Sequence, residues 1–303
     1  MEKSVHHIAG IVPVAGERCN FGLEWHDCMM PIGQNYLAVE RAVLECVYAG
    51  CSSIWIVCND DIAPLLRYRI RDFISDPTYS RFRFSSYKFH LRNVKQQRLV
   101  PIFYTPVHAK YRGKVDSLGF SIIHGATYAN NVASRISDIT RPQMYYVAFP
   151  FGTYEPSFIK PLRKQMYAGY RVMATFDNKS VRDNEYLGFS FRHSDLAHFI
   201  DKIKAGAIKS YRDEKGKLQP LPKDKWYEAK NYTLDKIYGD YNPSDLITKE
   251  LRWYYNISSW DLYRKFLATE QCRYLKYEKP VFLSARHYEQ FSNLSKEEEN
   301  GNV

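Results

Sequence analysis

Residues 8–16 read IAGIVPVAG, and residues 35–58 read NYLAVERAVLECVYAGCSSIWIVC. The first is a short apolar run closing in a small-residue turn, which predicts a buried strand over 8–14. In the second, Leu37, Val39, Ala42, Val43, Cys46 and Val47 recur at the helical period, with Gly50 placed to stop the helix. SSIWIVC then reads as a second strand, rich in β-branched and aromatic residues. Strand, long loop (16–33), helix and strand in sequence make a βαβ unit. Its nearly continuous apolar strands suit a parallel sheet covered by helices on both faces.

Outward from this unit the alternation continues. A helix is expected over 62–74 and a strand over 99–104. A helix opening at Gly125 is expected over 124–137, and a strand over 144–150. A proline-bearing helix at 156–169 and a strand at 170–176 follow. The segment 185–206 suggests a strand and an amphipathic helix ending at Gly206. Residues 259–269 form a well-marked helix that Ser259 can cap. The reading divides the chain into an α/β core (1–206), an insertion or small subdomain (207–250), a return to the core (251–290) and a charged tail (291–303). The fold class expected is α/β, a three-layer sandwich around a mostly parallel twisted sheet.

Composition agrees with a globular chain of 303 residues, 45% hydrophobic and 25% charged. No stretch approaches the ~20 apolar residues of a membrane helix. The start, MEKSVHHIAG, has no long apolar stretch after a basic segment, so a cytoplasmic protein is expected. Six cysteines without a CxxC pair do not resemble a zinc site. The net charge of +10 suits an anionic partner. Arg81, Arg83, Lys88, Arg92, Lys95 and Arg98 alternate with aromatic residues, which can serve single-stranded nucleic acid or a solvated face; the second reading is preferred. The tyrosine-rich second half suits a protein interface.

Four stretches together resemble the sugar-phosphate nucleotidyltransferase superfamily, with its nucleotide-diphospho-sugar transferase fold. IAGIVPVAGER (8–18), followed by Pro31-Ile32-Gly33, is similar to the first strand and signature loop. His124-Gly125-Ala126-Thr127 resembles a small-residue turn that contacts the nucleotide. Residues 145–154, YYVAFPFGTY, fall where that family's strand ends in a metal-binding aspartate. Residues 256–263, NISSWDLY, resemble the terminal motif that re-enters the core.

The resemblance implies transfer of a nucleotidyl group from a nucleoside triphosphate to a sugar phosphate, with Mg²⁺. It assigns Gly10, Ala15, Gly16, Arg18, His124, Gly125 and Ala126 to nucleotide binding. Arg18 and Glu155 become the catalytic candidates, and Glu155 and Asp177 the metal candidates. Ile32 stands where the loop lysine belongs, and Gly152 or Thr153 where the aspartate belongs. Two alternatives follow: an inactive copy used for binding or assembly, and a nucleotide-sugar-dependent glycosyltransferase. The second would use a metal pair such as Asp60-Asp61.

Overall fold

The computed structural model describes residues 5–16, 26–78, 98–108, 111–112, 117–213, 216–222, 225–226, 232–274 and 281–285. The strand expected from IAGIVP is β1 (Ile8–Pro13), buried at every position. α1 (Ala38–Ala49) follows, and Gly50 at φ 92° turns the chain out of it. β2 (Ser53–Cys58) then lies parallel to β1, with Ala9 opposite Ser53 and Pro13 opposite Val57. The remaining long elements are α2 (Ala63–Ile70), β3 (Phe73–Ser75), β4 (Leu99–Pro106) and α3 (Leu118–Ile136). They continue as β5 (Met144–Val147), α4 (Arg163–Tyr167), β6 (Arg171–Thr175), β7 (Phe189–Arg192) and α5 (Leu196–Ala205). Last come α6 (Leu234–Tyr238), β8 (Leu246–Glu250), α7 (Trp260–Leu267), α8 (Glu270–Tyr274) and β9 (Phe282–Leu283).

Among the described residues, nine strands form one sheet in the order β8-β6-β7-β5-β1-β2-β4-β3-β9. Only β7 and β3 run against the rest. Strands alternate their side chains between two faces, and each face has its own core. Ile8, Val12, Ile54 and Ile56 pack with α1 on one side. Ala9, Ile11, Trp55 and Val57 pack with α3, α5 and α6 on the other. This is the expected three-layer α/β sandwich.

Several local expectations change. The helix expected over 62–74 stops at Ile70, because Arg71 adopts φ 69° and the following Phe73–Ser75 pairs antiparallel with β4. The proline-bearing stretch is a 3₁₀ segment, Pro156–Leu162, before α4; Pro161 has no N–H to give an α-helical ladder. The helix expected to open at Gly125 opens at Leu118, with the Ser117 hydroxyl accepting from Phe120 N–H at 3.2 Å. Residues 207–250 contain a small hairpin (Ser210–Arg212 with Leu218–Pro220), α6, and β8, which pairs in parallel with β6.

An ionic cluster ties β6, β7, α5 and β8 together. Arg171 grips both oxygens of Asp195 (2.8 and 2.7 Å) and also bonds Asp245. Arg192 N–H and the Tyr241 hydroxyl complete the shell of Asp195 at 2.8 and 3.0 Å. Burial alone would raise the Asp195 carboxyl, but the bonds from Arg171 and Arg192 N–H outweigh it and hold it below the usual range. A carboxyl depressed in the fold adds stability above its unfolded value of about 3.9, lost as pH falls through the folded value. Asp195→Asn should therefore be less stable than wild type by about 1–3 kcal/mol at pH 7. The gap should close below about pH 4. Urea melts of both proteins from pH 3 to 7 read this; a pH-independent gap would contradict it.

Candidate nucleotide turn and the loop after β5

β1, β2 and β5 stand side by side at the centre of the sheet and end at the same edge. In open α/β sheets this carboxyl edge is where ligands bind. The chain leaves β1 in a turn held by two bonds, Val14 N–H and Ala15 N–H to Val57 O, at 2.8 and 2.7 Å. Gly16 follows at φ 125°, a region open to glycine. A Cβ on Gly16 would fall 2.7 Å from Ser117 C and 2.9 Å from Leu118 N, so the turn lies directly on the first residues of α3. The Ser121 hydroxyl donates to Ala15 O at 2.7 Å and fastens the two together. A glycine turn on the N-terminus of a 19-residue helix is the arrangement that favours phosphate.

The predicted site residues divide on this geometry. Ala15 and Gly16 lie in the turn. Arg18 lies outside the described residues. Gly10 is inside β1 under α1, where a Cβ would meet Cys46 Sγ at 2.9 Å; it allows strand and helix to approach. Gly125 does the same on the other face, against Val57 and Ile11, and Ala126 is wholly buried beside it. Both sit within α3, so their N–H groups belong to the helix ladder. The helix start that meets the turn is Ser117-Leu118-Gly119. The signal in the sequence is Asp116-Ser117, a capping residue directly before the apolar period of Leu118, Ile122 and Ile123. His124 lies two turns in, its Nε2 3.2 Å from Pro106 O; burial, opposed by that bond, lowers its pKa.

The end of β5 is unlike a metal site. Phe149 and Phe151 are buried and pack on Tyr186, at 5.9 and 5.6 Å between ring centres. Gly152 has no room for a side chain: a Cβ would fall 2.0 Å from Tyr186 O. An aspartate there would require the backbone to move. The chain from the far end closes over this loop, with Ile257 N–H on Phe151 O at 2.9 Å and Tyr255–Asn256 paired to Gly152–Thr153.

The same loop is anchored from below by a buried network. Arg41 and Glu45 of α1 are fully buried and paired at 2.7 Å. Arg41 also donates to Phe149 O at 2.5 Å and lies over the Tyr154 ring. Glu45 accepts from the Tyr146 and Tyr154 hydroxyls at 2.6 and 2.8 Å. Tyr154 in turn accepts from Gly188 N–H at 3.0 Å. Burial pushes the Glu45 carboxyl up, with Arg41 and the two hydroxyls pulling it back. Burial also pushes both tyrosines well up, so each remains a proton donor.

The carboxylates named from the sequence do not fit a resident Mg²⁺. Glu155 is exposed and accepts from the Ser157 hydroxyl at 2.7 Å. Asp177 sits in an exposed turn after β6, its N–H on Glu250. β6 is three strands from β1, about 14 Å by strand spacing. Asp60 is bonded by Arg112 at 2.6 Å, and Asp61 Oδ1 accepts from Ile62 N–H. Among the described residues no group of three or more His, Cys, Asp and Glu side chains could hold a metal. Nor is any described helix long and apolar enough to cross a membrane. Arg112, which also bonds Val107 O at 2.9 Å, is a cation at the mouth of β2 and β4 that sequence reasoning missed.

No family profile and no curated protein sequence matches the chain. Solved structures do. A glucose-1-phosphate thymidylyltransferase from Bacillus anthracis, so described provisionally and bound to sucrose, is 9% identical with a TM-score of 0.51; the match covers 90% of this chain and 98% of that one. The nucleoside-diphosphate-sugar pyrophosphorylase of Vibrio cholerae is 12% identical over 86% of this chain and all of that one, with a TM-score of 0.46. A UDP-glucose pyrophosphorylase bound to UDP-glucose is 13% identical over 86% and 97%, with a TM-score of 0.47. At these identities the likeness concerns architecture. With its central β5-β1-β2-β4 run and its helix layers on both faces, the chain has the sugar nucleotidyltransferase fold, in a divergent form.

Proposed function

We propose that this protein binds a nucleoside triphosphate at the Val14–Gly16 turn and transfers its nucleotidyl group to a sugar phosphate or similar phosphorylated acceptor. The observation that carries the reading is the contact of Gly16 with the first residues of α3, at the carboxyl edge of β1 and β2. There a phosphate oxygen of the acceptor would attack the α-phosphorus in line. The bond from that phosphorus to the β-phosphate oxygen breaks, and pyrophosphate leaves with the bonding pair. Charge grows on the leaving group, so cations at the mouth of the sheet matter most. Arg112 is one; Arg18, from the sequence, is the other candidate. Mg²⁺ brought in with the triphosphate would offset part of this charge, though the described carboxylates form no resident site for it.

One observation favours a second reading. The aromatic filling at Phe149 and Phe151, with no space at Gly152, suits a copy that keeps ligand binding or assembly and has lost transfer. Calorimetric titration with CTP, UTP, ATP and GTP, each with and without Mg²⁺, tests both. Binding of one of them in the low millimolar range or tighter is expected, and Arg18→Ala should weaken it. If none binds, the transferase reading falls and the assembly reading gains. If one binds but no pyrophosphate is released with any sugar phosphate, the protein is a nucleotide-binding copy.

A further inference from the structure

The turn that ends α1 is a Schellman motif. Gly50 N–H donates to Val47 O at 2.9 Å and Cys51 N–H to Cys46 O at 3.1 Å, with Gly50 at φ 92°. Such a motif brings together the side chains of the two residues that share its longer bond. An apolar pair usually meets there, but in this chain both residues are cysteines. Both are free thiols, Cys46 wholly buried and Cys51 1% exposed. β1 leaves space for their sulfurs. A Cβ on Gly10 would stand 2.9 Å from Cys46 Sγ and 3.2 Å from Cys51 Sγ, so both sulfurs fill the same gap over the strand.

Bonds on either side fix this turn. The Tyr167 hydroxyl donates to Gly50 O at 2.7 Å, and Ser52 N–H donates to Ile8 O at 2.8 Å. A disulfide spans Cα atoms about 4.4–6.8 Å apart. The backbone bond between Cys46 and Cys51 holds them at that separation, so a bridge asks for side-chain rotation rather than backbone movement. Burial, with the hydrogen bond to Cys51 adding to it, pushes the Cys46 thiol well up. A protonated, enclosed thiol resists exchange with a bulky disulfide and is open to a small oxidant. Among the described cysteines Cys272 is the partly exposed one, which a bulky oxidant meets first.

We propose that Cys46 and Cys51 are a modification site, a dithiol that a hydroperoxide converts to a disulfide and a thiol reductant restores. One sulfur attacks the peroxide and the O–O bond breaks. The departing oxygen leaves with a proton as water or alcohol, and a sulfenic acid remains. The second thiol attacks that sulfur. An S–S bond forms, and the sulfenic oxygen leaves with the second thiol's proton as water. Two electrons pass from the sulfurs to the peroxide. The bridge closes a loop of six residues at the joint between α1 and β2. It is independent of nucleotidyl transfer.

The test treats the folded, full-length chain with excess hydrogen peroxide at neutral pH. The protein is then denatured in iodoacetamide and digested with chymotrypsin. Cuts after Tyr48 and Trp55 place Cys46, Cys51 and Cys58 on separate peptides. Expected are a linked 46–51 pair that has lost two hydrogens and a melting temperature higher by roughly 3 °C. Dithiothreitol should reverse both. Cys51→Ser and Cys51→Ala should show neither change, and Cys58→Ser both. Three mapping results would overturn the proposal: both cysteines alkylated after treatment, either one carried unlinked to sulfinic acid, or either one linked to a different cysteine. A linked 46–51 pair that fails to raise the melting temperature would do so too, because the bridge would then have displaced the turn.

Discussion

Arg41→Ala should lower the unfolding free energy by about 3–5 kcal/mol, and the melting temperature by roughly 5–15 °C. The reason is what remains behind. Glu45 has no exposed surface, and Arg41 is its counter-charge at 2.7 Å. Removing the guanidinium leaves a carboxylate in a dry interior, with Phe149 O stripped of its donor. Replacing both charges is different. In Arg41→Met/Glu45→Gln neither residue is ionised, and the glutamine carbonyl can still accept from Tyr146 and Tyr154. More than half of the lost stability should return, since the isolated charge, not the absent pair, is the costly element. Guanidinium chloride melts of wild type, single and double variants measure this. A double variant as unstable as Arg41→Ala would show that packing around the guanidinium, not charge, holds the loop after β5.

That network also marks where sequence reasoning stops. The apolar period of α1 is plain in the sequence, and the strands on either side of it are legible almost to the residue. Arg41 and Glu45, on the opposite face of the same helix, look like an ordinary solvated pair. They are buried because Tyr146 of β5 and Phe149 and Tyr154 of the loop after it, more than a hundred residues away, fold beneath them. No local pattern carries that information. The misplaced ends have similar causes. Leu65, Leu66, Arg69 and Ile70 continue smoothly as a helix into Phe73 and Ile74, and only pairing with β4 shows that the last two belong to the sheet. In α3, Gly119 and Gly125 weaken the helical signal while permitting close packing, the first against Ile237 and the second against Val57. The small-residue run at 124–126 therefore imitates a turn and draws attention from the true start at Ser117. Of the candidate site, the turn after β1 is legible because small residues end an apolar strand there. The helix start that meets it is signalled only by Ser117 before the apolar period, a weaker mark than the small-residue run.

Gly16→Ala should abolish nucleotide binding, or weaken it at least tenfold, whereas Gly125→Ala should leave the affinity of the folded protein unchanged. Both additions are crowded, with nearest atoms at 2.7 and 2.6 Å. What they strike differs. At position 125 the new methyl meets the Val57 and Ile11 side chains inside the core, and overpacking there costs about 1–3 kcal/mol of stability. At position 16 it meets the backbone of Ser117 and Leu118, which cannot rotate away, and φ 125° is itself strained for alanine. The turn must then lift off the helix, opening the bond from Ser121 to Ala15 O and separating the N–H groups of the helix start from those of the turn. A phosphate bridging the two would lose one side of its cradle. Titrating each variant with the nucleoside triphosphate that wild type binds, at a temperature where melts show both folded, separates the cases. Loss of affinity in Gly125→Ala with retention in Gly16→Ala would return the nucleotide to the small-residue run at 124–126. It would also remove the contact between the β1 turn and the start of α3 from the site.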